Sequence, residues 1–333
     1  MPINILAIES SCDDTAAAVI SDGKVLSNIV SVQTAHELYG GVIPELASRE
    51  HQLHIVPVVD SAIKESSIAL SDLSAIAFTR GPGLLGSLIV GVNFAKSLAL
   101  SLDIPMIDVH HMHAHVMAHF AEDPMPSFPF LCLTVSGGHT QIIKVTAHNE
   151  MEILGQTIDD AAGEAFDKTG KMLGLPYPAG PLIDKYAKLG EHKFEFPISR
   201  VGKLDFSFSG LKTAILYFLR DNTKTNPKFI KEELNHICAS VQETIIETLM
   251  LKLIKATEMT GIQSVAIAGG VSANSGLRNR IESEAKKRNW KHHIPDFQYC
   301  RDNAGMIGIT AYYKYLSGEF CGHDVTAEAR LGF

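Results

Sequence analysis

What is scarce in this 333-residue sequence narrows the field first. Its five cysteines (Cys12, Cys132, Cys238, Cys300 and Cys321) are odd in number, scattered, and nowhere spaced as CxxC. That excludes a disulfide framework or a zinc knuckle and leaves reduced thiols in a cytoplasmic protein as the plain reading. Basic charge is in deficit: 29 Lys and Arg against 37 Asp and Glu give a formal net charge of −8, which argues against a broad surface that binds nucleic acid unaided. No apolar run reaches the roughly 18–20 residues that cross a bilayer; the best candidate, 87–102, is interrupted by Asn93 and Lys96. The first residues lack a basic n-region and soon meet Glu9, Asp13 and Asp14, as a first strand running into a loop would rather than a signal peptide. Neither a Walker A sequence nor a dinucleotide GxGxxG precedes a helix, so P-loop and Rossmann readings fail.

What is present fits a soluble α/β enzyme long enough for two lobes, each with its own core. The plan repeats once. Residues 6–20 and 131–145 each read as apolar strand, polar turn, apolar strand, the turns being Glu9-Ser10-Ser11-Cys12-Asp13-Asp14-Thr15 and Val135-Ser136-Gly137-Gly138-His139-Thr140. A third strand is expected in each half, over 24–30 and 151–154. Residues 75–79 run into Gly81-Pro82-Gly83 and a helix over about 85–102; residues 264–268 run into Gly269-Gly270 and a helix over about 273–288. Each strand–glycine–helix piece sets backbone N–H groups at the carboxyl end of a strand. The expected organisation is an N-terminal lobe over 1–127, with a helix in 303–333 packing back on it, and a C-terminal lobe over 128–302 that carries an irregular insertion around 194–228. A cleft is expected between the lobes. A long helix is expected over about 230–260. Two basic stretches, Lys224/Lys228/Lys231 and Arg278 to Lys291, read as solvated helix faces or as polyanion patches.

The most unusual segment holds five histidines in ten residues, from His110 to His119. On a helix, His111, His115 and His119 share a face, and two imidazoles at that spacing can chelate one transition metal. Met112 stands where a zincin needs Glu, and Ala114 where the inverted pattern needs it, so metallopeptidase chemistry is not expected. A carboxylate would complete a 2-His-1-carboxylate set, which favours Fe2+ over Zn2+ or Mg2+. Asp302 is a candidate, but it equally reads as the N-cap of the last helix. The Ser136-Gly137-Gly138 turn and Gly269-Gly270-Val271-Ser272-Ala273-Asn274 offer free N–H groups to a phosphate or carboxylate. The carboxylates of 159–168 read either as a capped helix start or as a hydroxyl-binding or catalytic set, and 205–210 as a loop anchored by phenylalanines.

These motifs, together with Gly40-Gly41-Val42-Ile43-Pro44-Glu45-Leu46-Ala47-Ser48-Arg49, His111-Met112-His113-Ala114-His115 and Phe206-Ser207-Phe208-Ser209-Gly210, occur in an order that spans the whole chain. In this the sequence resembles the bacterial tRNA N6-adenosine threonylcarbamoyltransferases, the TsaD family, formerly described as O-sialoglycoprotein endopeptidases. The resemblance implies the duplicated, two-lobed actin/sugar-kinase/Hsp70-like (ASKHA) fold. It implies transfer of a threonylcarbamoyl group from threonylcarbamoyl-AMP to N6 of adenosine 37, just 3′ of the anticodon, in tRNAs reading codons that begin with A, with release of AMP. By motif match, His111, His115 and Asp302 carry over as metal ligands. Thr134, Val135, Ser136, Gly137, Gly138, Asp167, Gly180, Asp184 and Asn274 carry over as substrate contacts. Asp13 and Asp14 are candidate catalytic acids, Asp14 standing where some relatives have Glu. The implied partners are the tRNA anticodon loop, threonylcarbamoyl-AMP, a degenerate paralogue subunit (TsaB-like) and a small ATPase (TsaE-like), with no membrane. Two rivals stand beside this reading: an ATP-dependent small-molecule kinase on the same fold, and a non-catalytic nucleotide-binding scaffold subunit.

Overall fold

The computed structural model describes residues 1–333, the side chain of Glu37 excepted. The first strand, β1 (Asn4–Glu9), is buried along its whole length, as expected where both faces of a sheet are covered. It pairs antiparallel with β2 (Asp14–Ser21), which pairs antiparallel with β3 (Lys24–Val32). Helix α1 (Pro44–Ser66) leads to β4 (Ala75–Gly81), parallel to β1; α2 (Leu85–Leu102) then leads to β5 (Met106–His110), parallel to β4. Helix α3 (His111–Met117) follows β5 directly. Leu6, Ile8, Val19, Ile76 and Phe78 join Ile55, Val59, Val92 and Ala95 of α1 and α2 in one core.

The second sheet repeats this plan. Strands β6 (Phe130–Val135) and β7 (Thr140–Ala147) are antiparallel, and β8 (Glu150–Gln156) lies beyond β7. Helices α4 (Ala162–Met172), α5 (Gly180–Ala187), α6 (Ser209–Thr225) and α7 (Phe229–Thr260) precede β9 (Ser264–Ala268), which is parallel to β6. Helix α8 (Ser275–Arg288) leads to β10 (Lys291–His293), parallel to β9. The strand orders, β3-β2-β1-β4-β5 and β10-β9-β6-β7-β8, are the same order twice. The chain closes with α9 (Phe297–Cys300) and α10 (Ala304–Leu316). Helix α10 packs on β1, β2 and β3, and Gly308 lies so close to Ile20 and Ala7 that a Cβ there would overlap Ile20.

The chain divides into two compact units: residues 1–126 with 147–151 and 295–333, and residues 127–146 with 152–294. Residues 295–302 thus group with the first unit, whereas the expected boundary lay at 302. The expected irregular stretch around 194–228 contains α6, a 17-residue helix. Its buried face of Leu211, Ile215 and Leu219 joins the second core. Helix α2 corrects a further expectation, because by length and composition it is apolar enough to cross a membrane. It turns Ser87, Leu88, Gly91, Val92, Ala95 and Ala99 inward, and Lys96 donates a hydrogen bond to the Val325 carbonyl.

Candidate functional site

Strand β5 delivers His110 to the start of α3, and the i, i+4 spacing brings the His111 and His115 rings to 4.7 Å between centroids. Helix α3 ends at Met117, so His119 falls in the following 3-10 turn and the expected three-histidine ladder breaks there. Asp302 arrives from the loop before α10. The cap of α10 is Asn303, whose side chain accepts from the Met306 N–H at 3.0 Å. The capping role that the sequence allowed for Asp302 is thereby filled by its neighbour. Asp302 Oδ1 instead lies 3.2 Å from His115 Nε2 and 3.5 Å from His111 Nε2. One ligand atom from each of the three lies within 4.8 Å of the others.

Behind His111 stands a residue to which the sequence reading gives no role. Glu9, at the buried end of β1, is 0% exposed. Its Oε2 sits 3.0 Å from His111 Nδ1 and accepts from the Thr79 hydroxyl at 2.6 Å, while Oε1 accepts from the Ser11 N–H at 2.5 Å. Ser11 Oγ lies 3.2 Å from the same His111 Nδ1. Burial pushes the Glu9 carboxyl up, but the His111 charge and its hydrogen bond more than reverse this, and the carboxyl ends below its usual range. Burial pulls His111 down, yet Glu9 and Asp302 hold its imidazole well above the ordinary histidine value. Burial raises Asp302 likewise, and His111 and His115 bring it well below the carboxylate range. These directions favour a protonated His111 imidazole between two carboxylates. A divalent ion taking Nε2 would replace that proton, while Nδ1–H stayed on Glu9, the usual way a carboxylate orients a ligating histidine. His115 Nδ1 is buried and without a hydrogen-bond partner among the described residues. The donor set, two imidazole nitrogens and a carboxylate, fits a divalent metal.

The two candidate acids differ. Asp14 is 5% exposed and pairs with Arg301 at 3.1 Å. Burial raises its carboxyl to about 7, Arg301 opposing and Asp302 and Asp13 adding to the rise. Asp13 is half-buried. His51 braces the loop between β1 and β2, its Nδ1 2.7 Å from Thr15 Oγ1 and its Nε2 3.0 Å from the Cys12 carbonyl.

The residues expected to contact substrate lie in the second unit. Thr134 and Val135 are buried at the end of β6. The turn after them closes with Ser136 N donating to the His139 carbonyl at 2.8 Å. Gly163 N, at the start of α4, donates to the Ser136 carbonyl at 3.2 Å. A Cβ on Gly269, whose φ is +84°, would overlap the Val135 carbonyl. Gly137 and Gly138, by contrast, face open space. Asp167 accepts from Ala179 N at 2.8 Å and so ties α4 to the start of α5 beside Gly180; burial lifts its carboxyl above the usual range. Asp184 accepts from the Ser275 hydroxyl at 2.7 Å and pairs with Lys188 at 3.1 Å. Asn274 caps α8 by accepting from Leu277 N at 3.0 Å and donates to Gln242 at 2.7 Å. Its side chain is thus held at both ends.

The rest of the carboxylate run has partners within the chain. Asp159 accepts from Phe208 N, Ser209 N and the Ser207 and Ser209 hydroxyls at the start of α6. Asp160 and Glu164 both pair with Lys168. Part of the denser basic stretch is paired as well. Buried Glu284 pairs with Arg280, Lys287 and Arg288, and Arg280 and Arg288 reach on to Glu247 and Glu258 respectively.

The family model for tRNA N6-adenosine threonylcarbamoyltransferase matches residues 24–309. The chain is 59% identical to the protein of that name from Christiangramia forsetii, over 99% of this chain and 98% of that one. It is 57% identical to its namesake from Cytophaga hutchinsonii, over 99% and 97%. Among solved structures it resembles a full-length HypF in a phosphate- and nucleotide-bound form (TM-score 0.63, 14% identity, covering 94% of this chain and 46% of that one). It also resembles HypF of T. kodakarensis (TM-score 0.62, 14% identity, covering 98% and 50%). These two likenesses speak to the fold alone, the duplicated α/β fold of the actin, sugar-kinase and Hsp70 superfamily. The identities with the curated relatives go further: the chain belongs to the tRNA N6-adenosine threonylcarbamoyltransferase family.

Proposed function

We propose that this chain transfers the threonylcarbamoyl group of threonylcarbamoyl-AMP to N6 of the adenosine just 3′ of the anticodon in tRNAs that read codons beginning with A. The new bond joins N6 to the carbamoyl carbon, the bond from that carbon to the phosphate oxygen breaks, AMP leaves, and the amine gives up a proton. An exocyclic adenine amine is a poor nucleophile, so the acyl carbonyl must be polarised and held. His111, His115 and Asp302 would hold the ion, with Fe2+ favoured by the two-histidine, one-carboxylate set. When bound, such an ion supplies Lewis acidity and a template for the acyl carbonyl. The observation that carries the reading is the convergence of these three side chains in a chain 59% identical to a namesake of the activity.

The chain's own residues have separate tasks. Gly137 and Gly138 would give backbone N–H groups to an anionic part of the donor, on the turn that the Ser136 N–H closes. Asp167 and Asp184 would accept hydroxyl hydrogen bonds. Thr134, Val135, Gly180 and Asn274 would shape the backbone around them. Asp14, held near neutrality by burial, has the affinity for a proton that suits taking one from the amine at neutral pH. The anticodon loop is single-stranded, so its bases can be presented without opening a duplex. The chain carries a net charge of −8, and Arg280 and Arg288 of α8 are paired with carboxylates. This favours help in holding tRNA from a TsaB-like paralogue and a TsaE-like ATPase, in the cytoplasm. A phosphoryl-transfer reading leaves His111 and His115 without a use.

The decisive experiment combines the chain and its presumed partners with ATP, threonine, bicarbonate, the adenylate synthase and unmodified tRNA. Threonylcarbamoyladenosine is then measured by nucleoside mass spectrometry. Product that forms equally without this chain would overturn the proposal.

A further inference from the structure

Helix α3 spans only seven residues, too few for its own hydrogen bonds to hold it. Its ends therefore decide how firmly His111 and His115 are placed. The N-cap is His110, whose Nδ1 accepts from Met112 N at 3.2 Å and His113 N at 3.4 Å. A neutral imidazole accepts at one nitrogen only when the proton sits on the other, so this cap requires the Nε2–H tautomer. Nε2 faces the carbonyl oxygen of Leu331 at 3.4 Å, a group that can only accept. Two residues on, the Phe333 ring meets the His113 ring edge-on at 4.3 Å and the His110 ring at 5.5 Å.

The segment that brings these groups is fastened independently of α3. Glu328 N donates to the Arg80 carbonyl at 2.9 Å, the Arg80 guanidinium pairs with the Glu328 carboxylate at 3.1 Å, and Gly83 N donates to the Ala329 carbonyl at 3.2 Å. Gly81 has no room for a Cβ, because the Glu328 carbonyl lies against it. The segment is thus moored to the end of β4 and lies against the rings of His110, the cap of α3, and His113, which are not ligands.

We propose that residues 328–333 position the histidine ligands: the Leu331 carbonyl selects the His110 tautomer that caps α3, and Phe333 holds the non-ligand face of that helix. Leu331 and Phe333 are positioning residues, and the proposal rests on the metal reading of His111, His115 and Asp302. Its test is a titration of the metal-free, full-length chain with Co2+, read by the visible ligand-field band of the bound ion. Deleting residues 331–333, or making Phe333→Ala, should weaken Co2+ binding about 10-fold, the lower end of what groups behind the ligands contribute, and should shift the band. The melting temperature of the metal-free chain should stay near that of the unaltered one, and Phe333→Tyr should restore binding. His110→Ala should match the deletion, and the two combined should cost no more than either, as expected for groups acting through one cap. Wild-type affinity and band in the deletion, or simply additive losses, would overturn the proposal. An unaltered chain that binds no Co2+ would instead remove the metal reading, and this proposal with it.

Discussion

The same strand order carries two corners built in different ways. In the first unit, the ends of β1 and β5 and the loop before α10 gather polar side chains: Glu9 meets His111, and Asp302 meets both His111 and His115. In the second unit, the ends of β6 and β9 hold backbone. Gly163 and Gly269 pack against the Ser136 and Val135 carbonyls while Gly137 and Gly138 stay open, and the nearby carboxylates fix helix starts. One duplicated scaffold thus provides a site of side chains suited to a cation and a site of N–H groups suited to an anion. Substitutions should respond differently in the two, and the sharpest contrast lies with the ligands themselves.

His115→Ala should abolish both metal content and product, because only one imidazole and one carboxylate remain; metal analysis beside nucleoside mass spectrometry measures both. Full activity in a metal-free His115→Ala chain would break the division between the corners. Glu9→Gln should be milder. The amide can still meet some of its three neighbours, but it no longer offers His111 Nδ1–H a charged acceptor. Metal affinity should fall roughly 10–100-fold in a chain that still folds, as read by metal titration beside circular dichroism. An unchanged affinity would mean that Glu9 serves only the folding of β1.

In the glycine corner the expected effects fall on stability in one place and on function in another. Gly269→Ala places a Cβ against the Val135 carbonyl at φ +84° and should cost about 1–3 kcal/mol or more, visible as a lowered denaturation midpoint. Gly137→Ala meets nothing and should melt like the unaltered chain, with donor binding weakened where backbone must approach closely. Equal melting of the two variants would remove the distinction between a packed glycine and an open one.

Much of this was legible in the sequence because each corner has a compositional mark. Buried strands read as apolar runs, the turns as glycine pairs, and the ligand helix as a histidine cluster, so the duplication and the His111–His115 pair could be read directly. What was hidden depends on tertiary contacts. Glu9 lies 102 positions from His111 in sequence, and only its place at the end of a fully buried strand marks it. Helix α1 went unassigned because Pro57 interrupts it and because its buried face includes Ala47, His51 and Ser66, which do not read as an apolar stripe. Whether Asp302 serves as a ligand or as the cap of α10 is open in the sequence; the fold gives the cap to Asn303. Helix α6 was masked by its surroundings, since its N-terminus is held by Asp159, about fifty positions earlier.

The smallest expected effect concerns the edge of the metal corner, where Asp14 lies buried beside Arg301. An acid whose pKa is raised on folding binds its proton more tightly in the folded chain. Its contribution therefore favours the fold below the unfolded value, about 3.9, and is lost as the pH climbs towards the folded value near 7. Asp14→Asn removes that titration and leaves a neutral side chain at every pH. The melting temperature of the unaltered chain, minus that of Asp14→Asn, should therefore decrease between about pH 4 and pH 7 and level off above. Lost pairing with Arg301 shifts the curve only where Asp14 is charged, which opposes the trend without reversing it, since burial is the larger influence on this carboxyl. A difference that stays constant across that window, or grows with pH, would show that the ion pair outweighs burial. Asp14 would then be an ordinary ionised carboxylate, poorly matched to taking a proton at neutral pH.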